Sequence, residues 1–453
     1  MRKILFISKE SNGGDMALRL ALEGNEVKFH IVEKGMKNLD GLIEKTDNWR
    51  AGVNWCDLVV FDDTGLDEYT KYVQKSGKPA FGMGHAKEDF EIHGAKFEGH
   101  AFAGELEKNR NMSQEVMSEL GIGEEIESLC FNDISEAVKH LKEHKVPHVI
   151  KPELHGSGSE KTYVGKLSSN EDAIGWLETL PTRPGGGKVK KIEVEERKEG
   201  VEVAVSAWFN GKDWIGPPNI NFEHKLIYAS ADGSGLGFNT GEMGTLMFYD
   251  NRGFEANPLF KETLAKMGKW LRQFDYRGQM DINCIVNEDG VWPLEFTPRL
   301  GYPSSYIEDE LQQTPWGELL YAIGSGKSID NRVSRDWGMG VVLVGEGYPF
   351  WDEGHKRMDG LPLLGLNEKN IDHVHPYDIA FDEKEKRMIV TGCYPATACG
   401  KGRTIKEVQD MVYNKVIPTV YFPSMGYRHD IGNDVANDLR KLKEWGFDFG
   451  RME

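Results

Sequence analysis

The stretch from Gly278 to Ser304, GQMDINCIVNEDGVWPLEFTPRLGYPS, decides how the rest of the chain is read. Residues 280–287 and 291–297 are rich in β-branched and bulky side chains. Glu288, Asp289 and Gly290 between them form a hairpin signature, the glycine supplying a positive φ. Alternation along a strand puts Ile282, Cys284 and Val286 on one face, and Trp292, Leu294 and Phe296 on the matching face of the return strand. The other face carries Asp281 and Asn283, with Glu295, Thr297 and Arg299 alongside. A turn centred near Asp289 sets Asp281 and Glu295 opposite or diagonal, about 5–8 Å apart. At that spacing one carboxylate must hold a proton unless a cation lies between them. Oxygen ligands suit Mg2+, which keeps water and substrate phosphates in its remaining positions, and Arg299 then stands ready for a phosphate. A solvated hairpin face with chance acids is the alternative at this point.

A chain of 453 residues has room for two to four domains, each with a core. Its net charge of −18 argues against a protein that coats nucleic acid or an anionic membrane, so an anion must be bound locally, by glycine loops and a few placed cations. The start, MRKILFISKES, is too short in apolar run for a signal peptide, and no segment approaches the ~20 apolar residues of a membrane helix. Five scattered cysteines, Cys56, Cys130, Cys284, Cys393 and Cys399, lack Cys-x-x-Cys spacing and fit reduced thiols in a cytoplasm.

Residues 3–8 read as a buried strand, Ser11 to Gly14 as a turn, 15–24 as a helix and 26–32 as a second strand, a βαβ unit of a parallel sheet. Further strands are expected at 58–61 and 78–82. Gly13 and Gly14 either bind a phosphate at the helix N-terminus or make a tight turn that needs glycine. A helical segment over 106–120 carries Lys108, and a second helix covers 135–143. Lys151 ends a strand, Gly156, Ser157, Gly158 and Ser159 form a flexible loop, and a strand follows at 162–164. Such a flap can offer backbone N–H groups to phosphate oxygens while a strand lysine reaches the α- or β-phosphate. Residues 181–191 look like an exposed connector. Val194, Val201, Val203 and Val205 mark two strands joined at 197–200, flanked by Glu195 and Glu202; backbone at such a joint can pair with adenine and an acid can accept ribose hydroxyls. Residues 233–244, GSGLGFNTGEMG, are too regularly patterned for a linker. Helices are expected at 255–274, 315–322 and 405–417, and a boundary at 324–335.

In this order the parts resemble the ATP-grasp ligases, and within them the phosphoribosylamine–glycine ligase family of purine synthesis. The resemblance rests on Gly237-Phe238-Asn239-Thr240-Gly241-Glu242-Met243-Gly244, on Leu294-Glu295-Phe296 with Arg299 and Gly301, and on Gly340-Val341-Val342, Gly347-Tyr348-Pro349 and Gly360-Leu361-Pro362-Leu363. It implies a multidomain fold of α/β and α+β parts. A Rossmann-like domain would span 1–105, entry helices 106–144, a flap subdomain 145–208, the ATP-grasp core with the metal hairpin 209–330 and an α+β cap 331–453. It implies Lys108 and Lys151 on the ATP phosphates with residues 156–159 closing over them. Glu195, Glu196, Arg197 and Lys198 would hold adenine, and Glu202 the ribose. Asp281 and Glu295 would bind Mg2+ or Mn2+, and Arg299 with Asn239, Thr240 and Gly241 would serve catalysis.

The implied reaction joins glycine to 5-phosphoribosylamine through an acyl phosphate, with release of ADP and phosphate. The implied partners are small-molecule substrates, with neither nucleic acid nor membrane, in a cytoplasmic monomer or homodimer. The family pattern is broken at several places. Its metal-binding Asn is Thr297, its Gly-Asp-Pro-Glu is Gly301-Tyr302-Pro303-Ser304, its Gly-Asn-Gly-Gly-Arg-Glu is Ser11-Asn12-Gly13-Gly14-Asp15-Met16, and one loop glycine is Glu242. Two further readings follow: the same chemistry with another carboxylate or amine, and a catalytically silent nucleotide-binding protein.

Overall fold

Residues 3–8 and 58–61 are short apolar runs buried on both faces, as strands of a helix-covered parallel sheet are. β1 (Lys3–Ser8), β2 (Glu26–Ile31), β3 (Leu58–Phe61) and β4 (Ala80–Phe81) form a parallel sheet in the order β2-β1-β3-β4. Helix α1 (Gly14–Leu22) makes the first crossover. The computed structural model describes residues 1–82, 90–92, 95–97, 102–154, 162–182, 189–350 and 356–451. The loop Gly156, Ser157, Gly158, Ser159 lies outside the described residues.

The helix expected over 106–120 is two helices, α2 (Phe102–Lys108) and α3 (Arg110–Leu120). Asn109 leaves the helical region at φ −102° and ψ 90°, and its side chain caps α3 by accepting from Met112 N at 3.2 Å. A second sheet follows, of β5 (Ser128–Phe131), β6 (His148–Leu154), β7 (Tyr163–Val164) and β8 (Val189–Glu196), antiparallel in the order β5-β8-β6-β7. Val189 to Lys191, expected in a connector, are strand. Ala137, Val138 and Leu141 with Ile150, Leu177, Ile192 and Val194 give this sheet its own core.

Among the described residues the largest sheet has eight strands. β9 (Val201–Asn210) and β10 (Trp214–Glu223) are followed by a small hairpin of β11 (Leu226–Tyr228) and β12 (Leu236–Asn239). β13 (Gly244–Tyr249), β14 (Arg277–Asn287), β15 (Gly290–Thr297), β16 (Trp337–Leu343), β17 (Val374–Pro376) and β18 (Ala396–Gly402) complete the set. The order is β15-β14-β9-β10-β13-β16-β18-β17. Because β13 pairs with β16, the sheet runs straight through the boundary expected near residue 330. The helix expected over 255–274 is broken at Thr263, whose φ of −125° and ψ of −93° separate Pro258–Glu262 from α4 (Leu264–Gln273). Directly after the hairpin, α5 (Ser304–Leu311) packs under the sheet and is followed by α6 (Trp316–Gly324). The chain closes with α7 (Val435–Glu444). No helix among the described residues is long and apolar enough to cross a membrane, and all five cysteines are free thiols, Cys130 exposed and the others buried.

Candidate functional site

The hairpin forms as expected, with Asn287 opposite Gly290 and a two-residue turn between. The Asn287 side chain organises the turn by accepting from Asp289 N at 3.0 Å, Gly290 N at 3.2 Å and Trp292 Nε1 at 3.0 Å. Asp281 pairs with Thr297 and Asn283 with Glu295, so the two acids share a face and lie diagonally. Beyond Glu295 the register slips by one residue, Cys284 pairing with Pro293 and Ile285 with Trp292. This bulge corrects the expectation for Trp292 and Leu294: they leave the core face, where Val291, Pro293 and Phe296 are buried instead, and line the cleft. There Lys198 Nζ sits 4.4 Å from the Trp292 ring centroid.

The cleft measures about 2590 Å³, more than the roughly 300–1,000 Å³ usual for one small ligand, which leaves room for a nucleotide and co-substrates. One wall is the second sheet. Lys151 forms a hydrogen-bonded ion pair with Glu195, whose other oxygen lies 3.6 Å from Arg110 Nε. Burial, with Arg110 beside it, holds the Lys151 ammonium below its usual range against the pull of Glu195. Glu195 and Glu196 end β8, and Arg197 and Lys198 belong to the joint before β9. Lys198 Nζ lies 3.0 Å from Glu196. Lys108, exposed at the end of α2, reaches the same cleft.

The floor holds a charge cluster with a member that sequence reasoning did not single out. Lys225, just past β10, places its ammonium 3.0 Å from Glu202, 3.1 Å from Glu223 and 3.7 Å from Glu295. Burial alone would lower its pKa, but Glu202 and Glu223 push it well above the usual lysine value. Lys225 in turn pulls Glu295 below the carboxylate range. Glu223 is raised, by burial first and by Glu202. Deeper in the same face, Asp281 is buried and accepts from Asn221 Nδ2 at 3.3 Å; burial and Glu223 push its pKa well up. Asn283 Nδ2 donates to Glu202 at 2.9 Å and to Glu223 at 3.1 Å. The amide oxygens of Asn221 and Asn283 are buried without a hydrogen-bond partner. The tripeptide Glu223-His224-Lys225, three charge-capable residues ending a strand, was the sequence signal for Lys225.

Thr240 donates to the Lys225 carbonyl oxygen from its N at 2.9 Å and its Oγ1 at 2.8 Å, which brings Asn239, Thr240 and Gly241 to the rim of the cleft. Glu242, in the place of a family glycine, turns inward and accepts from His224 N at 3.0 Å and Gly244 N at 3.1 Å. Arg299 stands outside the cleft lining: its Nε and Nη2 donate to Glu107 Oε1 at 3.2 and 3.0 Å. Burial works against its charge, but Glu107 and Asp63 more than offset that and raise its pKa.

At the N-terminal loop the turn reading prevails over the phosphate reading. Gly13 N donates to Asp62 Oδ2 at 2.5 Å and Gly14 N to Ser11 O at 2.9 Å, so both N–H groups are taken. Asp62 is fully buried, and burial with Asp63 nearby raises its pKa to about 8. Asp15, at the family's arginine position, pairs with Arg19 at 3.1 Å and with His375 Nδ1 at 2.7 Å.

Among the described residues no three His, Cys, Asp or Glu side chains converge closely enough to hold a metal as they stand. The Lys225 ammonium already occupies the space among Glu202, Glu223 and Glu295. The donor set itself, carboxylates and two unpartnered amide oxygens, is the all-oxygen kind that suits Mg2+.

Residues 108–305 match the family described as phosphoribosylglycinamide synthetase, ATP-grasp (A) domain. The phosphoribosylamine–glycine ligase of Clostridium acetobutylicum is 26% identical over 352 residues, covering 76% of this chain and 80% of that one. The Listeria monocytogenes enzyme of the same name is 24% identical over 335 residues, 72% of this chain and 76% of its own. Among solved structures, Thermotoga maritima phosphoribosylamine–glycine ligase superposes with a TM-score of 0.67 at 20% identity, over 95% of this chain and 100% of that one. N5-carboxyaminoimidazole ribonucleotide synthetase from Thermotoga maritima gives 0.56 at 16%, over 94% and 100%. Residues 108–305 thus match an ATP-grasp domain, the chain shares the ATP-grasp fold, and it is similar to the phosphoribosylamine–glycine ligases at an identity low enough to mark divergence.

Proposed function

We propose that the chain is an ATP- and Mg2+-dependent carboxylate–amine ligase, with Mn2+ able to replace Mg2+, that joins glycine to 5-phosphoribosylamine. The observation that carries this reading is the Lys225 cluster on the hairpin floor, facing Lys151 across one cleft. A carboxylate is a poor electrophile, so its oxygen first takes the γ-phosphoryl group of ATP and ADP departs. The amine nitrogen then attacks the acyl carbon, phosphate leaves, and the nitrogen gives up a proton. Lys151 and Lys108 bind phosphate oxygens, the joint at 197–200 meets adenine with Trp292 and Lys198 beside it, and Glu202 takes the ribose. Glu295 and Asp281 are the proposed metal carboxylates; Glu223 raises the pKa of Asp281 and is itself raised by Glu295. A metal held by these carboxylates would supply neutralisation of charge on the phosphates. Asn239, Thr240 and Gly241 border the transferring group, and Arg299 holds the hairpin's exit against Glu107.

A second reading keeps this chemistry and changes the amine. It is favoured by the loop at Ser11 to Gly14, whose two glycine N–H groups are spent internally beside Asp62, an environment poor for a phosphate.

The test is to supply ATP, Mg2+ and a panel of amino acids with and without freshly made 5-phosphoribosylamine, and to follow ADP. Release that requires both glycine and that amine supports the first reading; release with other pairs supports the second. Glu295→Gln is expected to slow phosphoryl transfer at least about tenfold, the loss of a metal-held electrostatic contact. Single-turnover ADP formation measures it, and an unchanged rate counts against the site.

A further inference from the structure

The C-terminal segment clamps the glycine loop that borders the cleft. Arg428 is fully buried, with a side-chain exposure of 0%. Its Nε and Nη2 donate to the two oxygens of Asp430, each at 2.8 Å. Its Nη1 donates to Leu226 O at 3.0 Å and its Nη2 to Gly233 O at 2.8 Å. The same Asp430 carboxylate accepts from Ser230 N at 2.8 Å. One guanidinium–carboxylate pair therefore holds three points of the segment 226–233, the first half of the hairpin that leads to Asn239, Thr240 and Gly241.

The fit is close from the loop side as well. Gly235, at φ +87°, lies where an added Cβ would stand 2.5 Å from Arg428 Nη1. Gly233, at φ +84°, has Asp434 N at 3.0 Å from the same imagined atom. Leu226 pairs with Asn239 and directly follows Lys225, whose carbonyl holds Thr240. A displacement at Leu226 or Gly233 thus reaches both the Lys225 ammonium and the Asn239 to Gly241 rim.

We infer that Arg428, held by Asp430, is a positioning residue for phosphoryl transfer: it sets where Lys225 and the loop at 239–241 stand in the cleft, without touching the substrates. A planar fork with five donors can bridge two carbonyls and a bidentate carboxylate at once. A lysine ammonium with three donors cannot. Small misplacements of reacting groups cost rate out of proportion to their size, up to about a hundredfold per ångström.

The inference rests on the ligase reading, and the test separates the two. In Arg428→Lys, kcat for ADP release is expected to fall about tenfold or more while KM for ATP moves less than about threefold, because the adenine side of the cleft is built from other strands. Hydrogen exchange is expected to quicken at residues 226–241 and to stay unchanged in β1 and β3. Asp430→Asn, which keeps the shape and weakens the hold on the guanidinium, carries the same expectation and serves if Arg428→Lys loses cooperative unfolding. An unchanged kcat with a loosened loop overturns the inference, as does exchange that quickens throughout the chain. If the wild-type protein releases no ADP with any amine and amino acid, the ligase reading fails, and exchange confined to 226–241 still decides whether Arg428 fixes the loop.

Discussion

Lys225→Met is expected to lower kcat for ADP release by about 10²–10³-fold, the range found when a preorganised electrostatic contact to a charged transition state is removed. Methionine keeps the unbranched hydrocarbon reach and deletes only the charge. What remains is Glu202, Glu223 and Glu295 with their shared cation gone. Like charges at that spacing draw protons, so each carboxylate's pKa rises. The stability signature has a definite sign. A lysine whose folded pKa is raised stabilises below its unfolded value near 10.4 and loses that contribution at higher pH, whereas a carboxylate whose folded pKa is lowered, as Glu295 is, stabilises above about 4.3 and loses that contribution as pH falls. The difference in unfolding midpoint between wild type and variant is therefore widest between roughly pH 6 and 9 and narrows as pH falls below about 4.3. A variant with turnover within threefold of wild type would remove Lys225 from the chemistry.

Glu308→Gln is expected to stabilise the fold at alkaline pH. Glu308 on α5 is fully buried beneath the sheet; its Oε1 accepts from Asn219 Nδ2 at 2.5 Å, Gln279 Nε2 at 2.8 Å and Tyr249 OH at 3.2 Å. Its Oε2 has no partner. Burial raises its pKa to about 8 despite the three donors. The unfolded chain loses this proton near pH 4.3 and the folded chain keeps it, so stability falls as pH rises from about 4.3 to about 8, in total on the order of 5 kcal/mol. Glutamine matches the shape, keeps an acceptor for the three donors and cannot ionise. Urea unfolding at pH 6 and pH 9 measures the effect: the variant's midpoint should change less between the two and exceed wild type at pH 9. Equal pH slopes in both proteins would show that Glu308 is not the titrating group.

The parts of the fold that sequence made legible are those in which a local pattern and the tertiary environment agree. β1, α1, β2 and β3 are apolar runs separated by glycine turns, and all four form as expected. The two strands joined at 197–200 and the hairpin at 277–297 were marked by alternating apolar positions and turn residues. Helix breaks were harder. Asn109 is an ordinary N-cap residue and could have been read as one, whereas Thr263 interrupts an amphipathic pattern that continues on both sides. The pairing of β13 with β16 joins residues almost a hundred positions apart, which no local pattern encodes.

In the site, lysines and acids were legible by charge at strand ends, and most of them line one cleft. Lys225 was not singled out because its meaning lies in three carboxylates from three other strands or strand ends. Glu195, expected beside the adenine, lines the cleft with its carboxylate paired to Lys151 and Arg110. The placement of Trp292 depends on a register slip that alternation alone does not reveal.

That slip has a consequence for how the hairpin tolerates change. The single supernumerary residue in β15 inverts the inside–outside parity of every position on its turn-proximal side, so the strand obeys two separate alternation rules along its length. An apolar-to-polar exchange at Trp292 would meet the cleft, whereas one at Val291, one position away, would meet the core; three residues further on the rule is reversed, Glu295 being open and Phe296 enclosed. Shortening β15 by one residue would merge the two rules, drive the indole into hydrocarbon and dissolve the aromatic shelf from which Lys198 hangs.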